Sequence, residues 1–282
     1  MNDQSEEATR GLEEKARRVR THIVRMIAGA GSGHIAPALS CADIVSALYF
    51  SVLRLDPGNP QWEDRDRFIL SKGHGCAAHY AVLAEKGFFP LEVLDTFCRL
   101  DSILGGHPDR LKVPGVEAST GSLGHGLPIG VGMAIAGKVD GRAYRVFVLL
   151  GDGENDEGAV WEGAMAASHY KLDNLIAIID RNRLQVDGWT EDVMNPEPLA
   201  DKWRSFGWCV QEINGHDMNQ IVDALHIATA TRERPAVIIA KTVKGKGVSF
   251  MEGSVDWHYG VVTAEAATRA LRELEVPERR TR

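Results

Sequence analysis

The sequence has little that would suit a membrane, a nucleic acid or a disulfide scaffold. No stretch approaches the roughly 18 consecutive apolar residues of a membrane-spanning helix. Acidic residues outnumber basic ones by 39 to 32, whereas a nucleic-acid surface needs a basic face. The four cysteines show no CxxC spacing, which argues against a zinc site and, in a reducing compartment, against disulfides. The N-terminal residues lack the apolar core of a secretory signal, so we expect a cytoplasmic protein with no nucleic-acid or membrane partner.

What is present is the pattern of an α/β protein. Apolar residues recur at steps of three and four over residues 12–28, which predicts an amphipathic helix. Ser40 is predicted to cap a second helix that ends near Leu53. Short segments rich in Val, Ile and Leu predict strands, at 68–70, 145–150, 175–180, 209–213 and 236–242. Because helical segments separate these strands, we expect a doubly wound, mostly parallel sheet with helices on both faces.

The domain organisation follows from the lack of repeats, low-complexity segments and composition breaks. We expect a flexible tail over residues 1–10 and one domain over residues 11–282.

A carboxylate stands between two glycines where the strand 145–150 ends, in the sequence Gly151–Asp152–Gly153. Open α/β sheets bind ligands beyond the carboxyl ends of their strands, where unpaired N–H groups attract anions. A carboxylate there would repel a diphosphate unless a hard cation lay between them, and Mg²⁺ fits because it takes oxygen ligands shared with phosphates. The alternative is an ordinary Asp-Gly turn, since so short a motif is weak by itself.

A second oxygen donor follows the next strand. Asn182 lies 30 residues after Asp152 (182 − 152), one strand–helix–strand unit away. Adjacent parallel strands would bring both tips to one edge of the sheet, where the Asn182 amide and the Leu184 carbonyl could complete the protein's share of an octahedron. An asparagine after a strand is also a common turn residue.

These residues resemble the thiamin-diphosphate motif, and the surrounding sequence is similar to the transketolase family. The resemblance covers nearly the whole chain through motifs in the family's order: "GSGHIAPALS", "RDRFILSKGHG", "GGHPD", "STGSLGHGLPIGVGMAIAGK", "GDGENDEGAVWEG", "EPLADKWRSFGW", "INGHD" and "KTVKGKG". It implies a thiamin-diphosphate-binding fold, specifically the module that holds the diphosphate and its metal.

The resemblance also implies roles for particular residues. Asp152, Asn182 and the Leu184 carbonyl would hold Mg²⁺, and Gly153 would meet the diphosphate. Glu157 would link the cofactor sites across a dimer. The remaining cofactor-binding positions are Gly121, Ser122 and Leu123 at the aminopyrimidine, with Asn182, His74 and His258 near the diphosphate.

Four histidines occupy glycine- or proline-containing loops: SGH, KGHG, GGHP and DWHYG. By resemblance, His74 and His258 lie near the diphosphate and the reaction centre, while His34 and His107 face the sugar hydroxyls. Imidazoles suit proton transfer at hydroxyls near neutral pH, so all four are catalytic candidates. The histidines expected to be structural are His22, His79, His169, His216 and His226.

Two glycine-rich segments imitate other phosphate sites. "GAGSGH" at 29–34 resembles a dinucleotide fingerprint but follows a helix where that motif requires a strand. "KTVKGKG" at 241–247 lacks the order of a phosphate-binding loop, so we expect a mobile basic loop, with closure over the cofactor or substrate as the alternative.

Thiamin chemistry also requires a carboxylic acid at N1′ of the cofactor, which in transketolases comes from a second, pyrimidine-binding domain. The residues after His258 leave no room for such a domain. The chain is therefore expected to be the N-terminal subunit of a split transketolase, active in an α2β2 assembly with a C-terminal subunit. Whether its sugars are pentose-phosphate intermediates or less common phosphorylated or sulfonated sugars stays open.

Three alternatives to this interpretation differ in class. A 2-oxo acid dehydrogenase subunit shares the GDG and Asn motif but is not expected to carry the four histidine loops. A non-catalytic cofactor-binding module would be indicated by loss of Asp152 or Asn182, and both are present. Deoxyxylulose-phosphate synthase fits less well, because it normally keeps both domains in one chain.

Overall fold

The computed structural model describes residues 3–275. Its first element is the long helix α1 (Asp3–Ala30), whose apolar face includes the predicted Val19, Ile23 and Ile27, all fully buried. Residues 3–10, predicted to be a flexible tail, form the first turns of this helix, and the Thr9 hydroxyl donates to Asn219 Oδ1 at 2.7 Å. Residues 1–2 of the predicted tail and residues 276–282 of the predicted domain lie outside the described residues.

A five-stranded parallel sheet forms the centre of the fold. Its strands, in spatial order, are β2 (Arg67–Leu70), β3 (Val146–Gly151), β4 (Leu175–Arg181), β6 (Ala236–Lys241) and β5 (Cys209–Asn214). All five lie within two residues of the predicted positions. A separate two-stranded antiparallel pair joins β1 (Ser32–Gly33) to β7 (Gly260–Val261).

Helices cover both faces of the sheet, as predicted. The helices after α1 are α2 (Ile35–Ser40), α3 (Ala42–Ala47), α4 (Cys76–Lys86), α5 (Gly126–Val139), α6 (Gly158–His169), α7 (Thr190–Val193), α8 (Leu199–Ser205), α9 (Met218–Ala230) and α10 (Ala264–Glu275). Alternate residues of β3 pack on opposite faces: Phe147 and Leu149 join a core with α1, α3, α4 and α9, whereas Val148 and Leu150 join a second core with α5 and α6. This alternation is the pleat of a strand that is buried on both sides. Among the described helices, none combines the length and the apolarity needed to cross a bilayer.

The predicted helix from Ser40 to Leu53 is wrong in its start and its continuity. Ser40 is the last residue of α2, α3 begins at Ala42, and a π-helical turn spans Leu48–Val52. The buried Ser40 hydroxyl donates to the carboxylate of Asp180 at 2.5 Å instead of capping a helix. A tertiary partner has replaced the local backbone partner that the sequence pattern assumed.

Candidate active site

The tips of β3 and β4 bring the two predicted metal-site side chains to one edge of the sheet. Gly151 pairs with Asp180 in the parallel ladder, so Asp152 and Asn182 follow the two strands at neighbouring positions. Both residues are buried, at 3% and 8% exposure. The backbone N–H of Arg183 donates to Asp152 Oδ2, which fixes the turn after β4 against the turn after β3.

The groups that converge here are oxygen donors. The carboxylate of Asp152, the amide oxygen of Asn182 and the carbonyl of Leu184 are the donor chemistry that Mg²⁺ prefers. Arg183 adopts a left-handed conformation, with φ of 65°, in the turn that ends at the buried Leu184. Within residues 3–275, no three His, Cys, Asp or Glu side chains could hold a metal ion by themselves. A cation at this edge would therefore depend on the amide, the carbonyl and a ligand's own oxygens, and the residues present fit that requirement.

The electrostatics of Asp152 reflect its burial. Desolvation, followed by the nearby Asp180 carboxylate, raises the pKa of Asp152 to about 6. The N–H groups of Arg183 and Gly153 act in the opposite direction, and the Gly153 N–H donates to Asp152 Oδ1 at 2.9 Å.

Two glycines leave room that a side chain would fill. A Cβ at Gly153 would lie 2.7 Å from Cγ of Gln185, and a Cβ at Gly121 would lie 3.3 Å from the His107 ring. Gly121 and Ser122 are exposed, and Leu123 is half-buried. The exposed Glu157 borders the same loop, because a Cβ at Gly124 would lie 2.6 Å from its own Cβ. The glycines thus allow a ligand close access to the backbone.

The four catalytic candidates among the histidines form one cluster. The ring centroid of His34 lies 5.4 Å from that of His74, 6.0 Å from that of His107 and 5.4 Å from that of His258. His74 and His258 are 5.6 Å apart. Pairing of β1 with β7 joins the SGH and DWHYG loops, with Gly33 opposite Gly260. Four loops that are distant in the sequence therefore meet beside the tips of the strands.

Burial keeps these imidazoles neutral. Desolvation is the main cause that lowers the pKa of His34 to about 4, of His258 to about 3, and of His74 well below its ordinary value of 6.5. The pKa of His107 is also lowered by burial. Neutral imidazole has one donor and one acceptor nitrogen, so each ring can both accept and return a proton.

Lys244 was not recognised as a site residue from the sequence. It is 1% exposed, and its ammonium donates to the carbonyl oxygens of Leu184 at 3.0 Å and Gln185 at 3.4 Å. Burial, followed by the charge of Lys72, lowers the pKa of Lys244 to about 8. The segment 241–247 is thus not simply a solvated basic loop, since its central lysine is anchored beneath the site. The signal available in the sequence was a lysine inside a glycine-containing motif after the last strand.

A buried ion pair below the histidines was also missed. Lys72 and Asp180 are 1% and 0% exposed, and the Lys72 ammonium donates to the Asp180 carboxylate and to the Pro37 carbonyl. The hydroxyls of Ser40 and Thr242 also donate to Asp180. This network ties the KGHG loop to β4 and β6. Asp180 read as an ordinary strand-end residue in the sequence because its partners are up to 140 positions away.

The histidines expected to be structural lie outside the cluster. His22 contacts Glu85, His79 bonds to the Tyr49 hydroxyl inside the core, and His216 contacts Asp43. His169 and His226 are exposed on helices α6 and α9.

Comparisons with known proteins agree with this geometry. A family model described as "Transketolase, thiamine diphosphate binding domain" matches residues 13–276. One of the two subunits of the apulose-4-phosphate transketolase of Phocaeicola vulgatus is 49% identical over 263 residues, 93% of each chain. The 6-deoxy-6-sulfo-D-fructose transketolase subunit SqwG of a Clostridium species is 44% identical and covers 94% of this chain and 96% of its own.

Solved structures give the same answer for the fold. Transketolase from Campylobacter jejuni superposes with a TM-score of 0.89 at 35% identity and covers 98% of this chain. Transketolase from Leishmania mexicana superposes with a TM-score of 0.88 at 32% identity. The chain spans 43% and 41% of the lengths of these two proteins. By its sequence, its sheet and its family match, this chain belongs to the transketolase family and corresponds to the thiamine diphosphate binding domain of its members.

Proposed function

We propose that this chain is the Mg²⁺- and diphosphate-binding subunit of a cytoplasmic two-subunit transketolase. With a partner subunit it would transfer a two-carbon ketol unit from a ketose to an aldose. The observation that carries the proposal is the convergence, at one sheet edge, of the oxygen donors around Asp152 with the cluster of four histidines. The relatives named as transketolase subunits of similar length support it.

The metal and the diphosphate are assigned to the turns after β3 and β4. Asp152, Asn182 and the Leu184 carbonyl would hold Mg²⁺, and the Gly153 backbone would meet the diphosphate. The loop of residues 121–123 would lie against the aminopyrimidine. Thiamin diphosphate supplies, when bound, the nucleophilic carbon and the electron sink that this chemistry needs.

The histidines are assigned to protons on the sugar. His34 and His107 would bind sugar hydroxyls, because His107 is exposed and His34 lies at the centre of the cluster. His74 and His258 would lie closer to the diphosphate and the reaction centre. Because the lowered pKa values keep these rings neutral at pH 7, a ring can accept a hydroxyl proton and return it later.

The partner subunit would supply the acid at N1′ and enclose the cofactor. Helices α5 and α6 expose Ile129 and Met165, at 38% and 57% exposure, beside the exposed Glu157. We assign this face, from segments 121–137 and 159–167, to the interfaces of an α2β2 assembly with Glu157 near its twofold axis. Obligate interfaces bury on the order of 2,000 Å² or more and have apolar centres.

The donor is proposed to be a phosphorylated or sulfonated ketose. Two relatives are named for apulose-4-phosphate and 6-deoxy-6-sulfo-D-fructose, which differ in the anionic group at the end of the sugar. The partner subunit would read that group, because in transketolases the residues for the sugar phosphate lie mostly in the second domain.

The test is ketol transfer measured with the purified chain, first alone and then with the separately encoded partner. Activity is expected only in the pair, with a panel of ketose donors and aldose acceptors identifying the substrates. Full turnover by the chain alone would overturn the two-subunit proposal. Exclusive decarboxylation of 2-oxo acids by the pair would overturn the proposed ketol transfer.

A further inference from the structure

Glu154 is a buried carboxylate for which the proposed chemistry has no use. It lies two residues after Asp152 in the 3-10 helix Gly153–Asp156 and is 2% exposed. Its Oε1 accepts hydrogen bonds from the Ser71 hydroxyl and from the Gly124 N–H, the latter at 2.9 Å. Its Oε2 accepts from the Gly151 N–H at 3.0 Å. One side chain therefore binds donors from three separate segments of the chain.

Each of these donors belongs to a loop of the candidate active site. Ser71 follows β2 and precedes the loop that carries His74. Gly124 ends the loop 121–124, and Gly151 is the last residue of β3, directly before Asp152. The carboxylate thus joins the loop proposed for the aminopyrimidine to the loop proposed for the metal and diphosphate.

A carboxylate suits this position because all three partners are donors and an ionised carboxylate only accepts. Bonds from N–H and O–H groups to an ionised acceptor are shorter and stronger than neutral ones. Burial raises the pKa of Glu154, while the bonds from Ser71, Gly124 and Gly151 lower it. The three donors thus offset the cost of burying the charge.

The loops around Glu154 are also packed without spare room. A Cβ at Gly126 would lie 2.3 Å from Oγ of Ser71, and Gly124 has a φ of +81° that favours glycine. Such close contact leaves the spacing of the two loops dependent on what lies between them. That group is the Glu154 carboxylate.

We propose that Glu154 is a positioning residue that holds the loop 121–124 and the Gly151–Gly153 turn at the spacing that one thiamin diphosphate molecule requires. The inference rests on the proposed function, since it concerns the same cofactor. Glu154 touches neither metal nor cofactor in this arrangement; it acts through the Gly124 and Gly151 backbones. Loss of the carboxylate lowers the fraction of molecules in the binding-competent form, and the apparent dissociation constant rises in proportion.

The test compares Glu154→Gln with a matched control, Glu85→Gln. Glutamine keeps the shape but presents an NH₂ group to one of three donors. Glu85 has a side chain that is 2% exposed and also has three partners, Lys15, Arg18 and His22, at the far end of α4. Two quantities are measured on the full-length chain: the affinity for thiamin diphosphate with Mg²⁺ by calorimetry, and hydrogen exchange of the backbone amides in residues 121–126 and 151–154.

We expect Glu154→Gln to weaken cofactor binding at least about tenfold, equivalent to about 1.4 kcal/mol, and to speed exchange in both loops. Glu85→Gln is expected to lower the melting temperature and to leave affinity and loop exchange unchanged. If Glu154→Gln does not fold, Ser71→Ala removes a single donor and should weaken binding about threefold, the scale of one hydrogen bond.

The outcomes separate this inference from the proposed function. Failure of the unmodified chain to bind thiamin diphosphate and Mg²⁺ would overturn the proposed function. Normal binding by the unmodified chain, together with unchanged affinity in the Glu154→Gln or Ser71→Ala variant, would overturn the positioning role alone. Equal weakening by Glu85→Gln would also overturn it, because the effect would then be general destabilisation.

Discussion

The ammonium of Lys244 and the imidazole of His258 are hydrogen-bonded, with 2.8 Å between Nζ and Nδ1. An ammonium can only donate, so Nδ1 of His258 accepts and the ring proton is on Nε2. Burial is the first cause, and the charge of Lys244 the second, that lowers the pKa of His258 to about 3. Lys244 therefore sets both the tautomer and the charge of a histidine in the cluster.

Lys244→Met should raise the pKa of His258, because the substitution removes the neighbouring positive charge and keeps a flexible chain of similar length. The pKa should stay below 6.5, since burial remains the larger cause. The measurement is a nuclear magnetic resonance titration of ¹⁵N-labelled histidine rings. Lys241→Met, at a lysine with 61% side-chain exposure, is the control. An unshifted His258 in the Lys244 variant would contradict the assignment.

Asp152→Ala should abolish binding of thiamin diphosphate with Mg²⁺ while leaving the fold intact. The carboxylate is the one charged oxygen donor in the proposed metal site, and a neutral site cannot hold the cation between itself and a diphosphate. Calorimetry gives the affinity and circular dichroism the fold. Asp201→Ala removes an exposed carboxylate on α8 and should bind normally. Retained affinity in the Asp152 variant would refute the metal assignment.

Alanine at His34, His74, His107 or His258 should lower turnover by roughly 10²–10⁴, the range for a lost general acid or base. Little stability should be lost, because the four rings line one cluster at the edge of the sheet. Turnover is measured in the reconstituted pair and stability by urea unfolding. His226→Ala, on the exposed side of α9, should change neither. A variant that unfolds with no separable kinetic effect would identify that histidine as structural.

His79 should make folding sensitive to acid. Burial lowers its pKa from 6.5 to about 3 in the folded chain, so between these values the unfolded chain binds the extra proton. The free energy of unfolding is therefore complete above pH 6.5 and falls as the pH decreases toward 3. His79→Gln keeps a polar partner for Tyr49 and should reduce that slope by up to about 1.4 kcal/mol per pH unit. Urea unfolding at several pH values checks this, and parallel curves for the two proteins would count against it.

The predictability of the fold differed between its strands and its early helices. The five strands of the main sheet are buried runs of β-branched and aliphatic residues, and a continuous apolar run bounded by glycine, proline or polar residues has few other structures open to it. The segment from Ser40 to Leu53 was misread, because the Ser40 hydroxyl bonds to Asp180, 140 residues away. Local patterns carry no information about such a partner.

The sequence by itself determined the α/β class, the strand positions, the family resemblance and the identity of the candidate site residues, because these depend on periodicity and on short motifs. Only the tertiary structure decided which side chains meet. The pairing of β1 with β7 brings the His34 and His258 loops together. The burial of Lys244 and Glu154 makes them site residues, since a lysine or glutamate in a loop is ordinarily solvated. Their roles follow from desolvation and from donors contributed by distant segments, which exist only after the chain has folded.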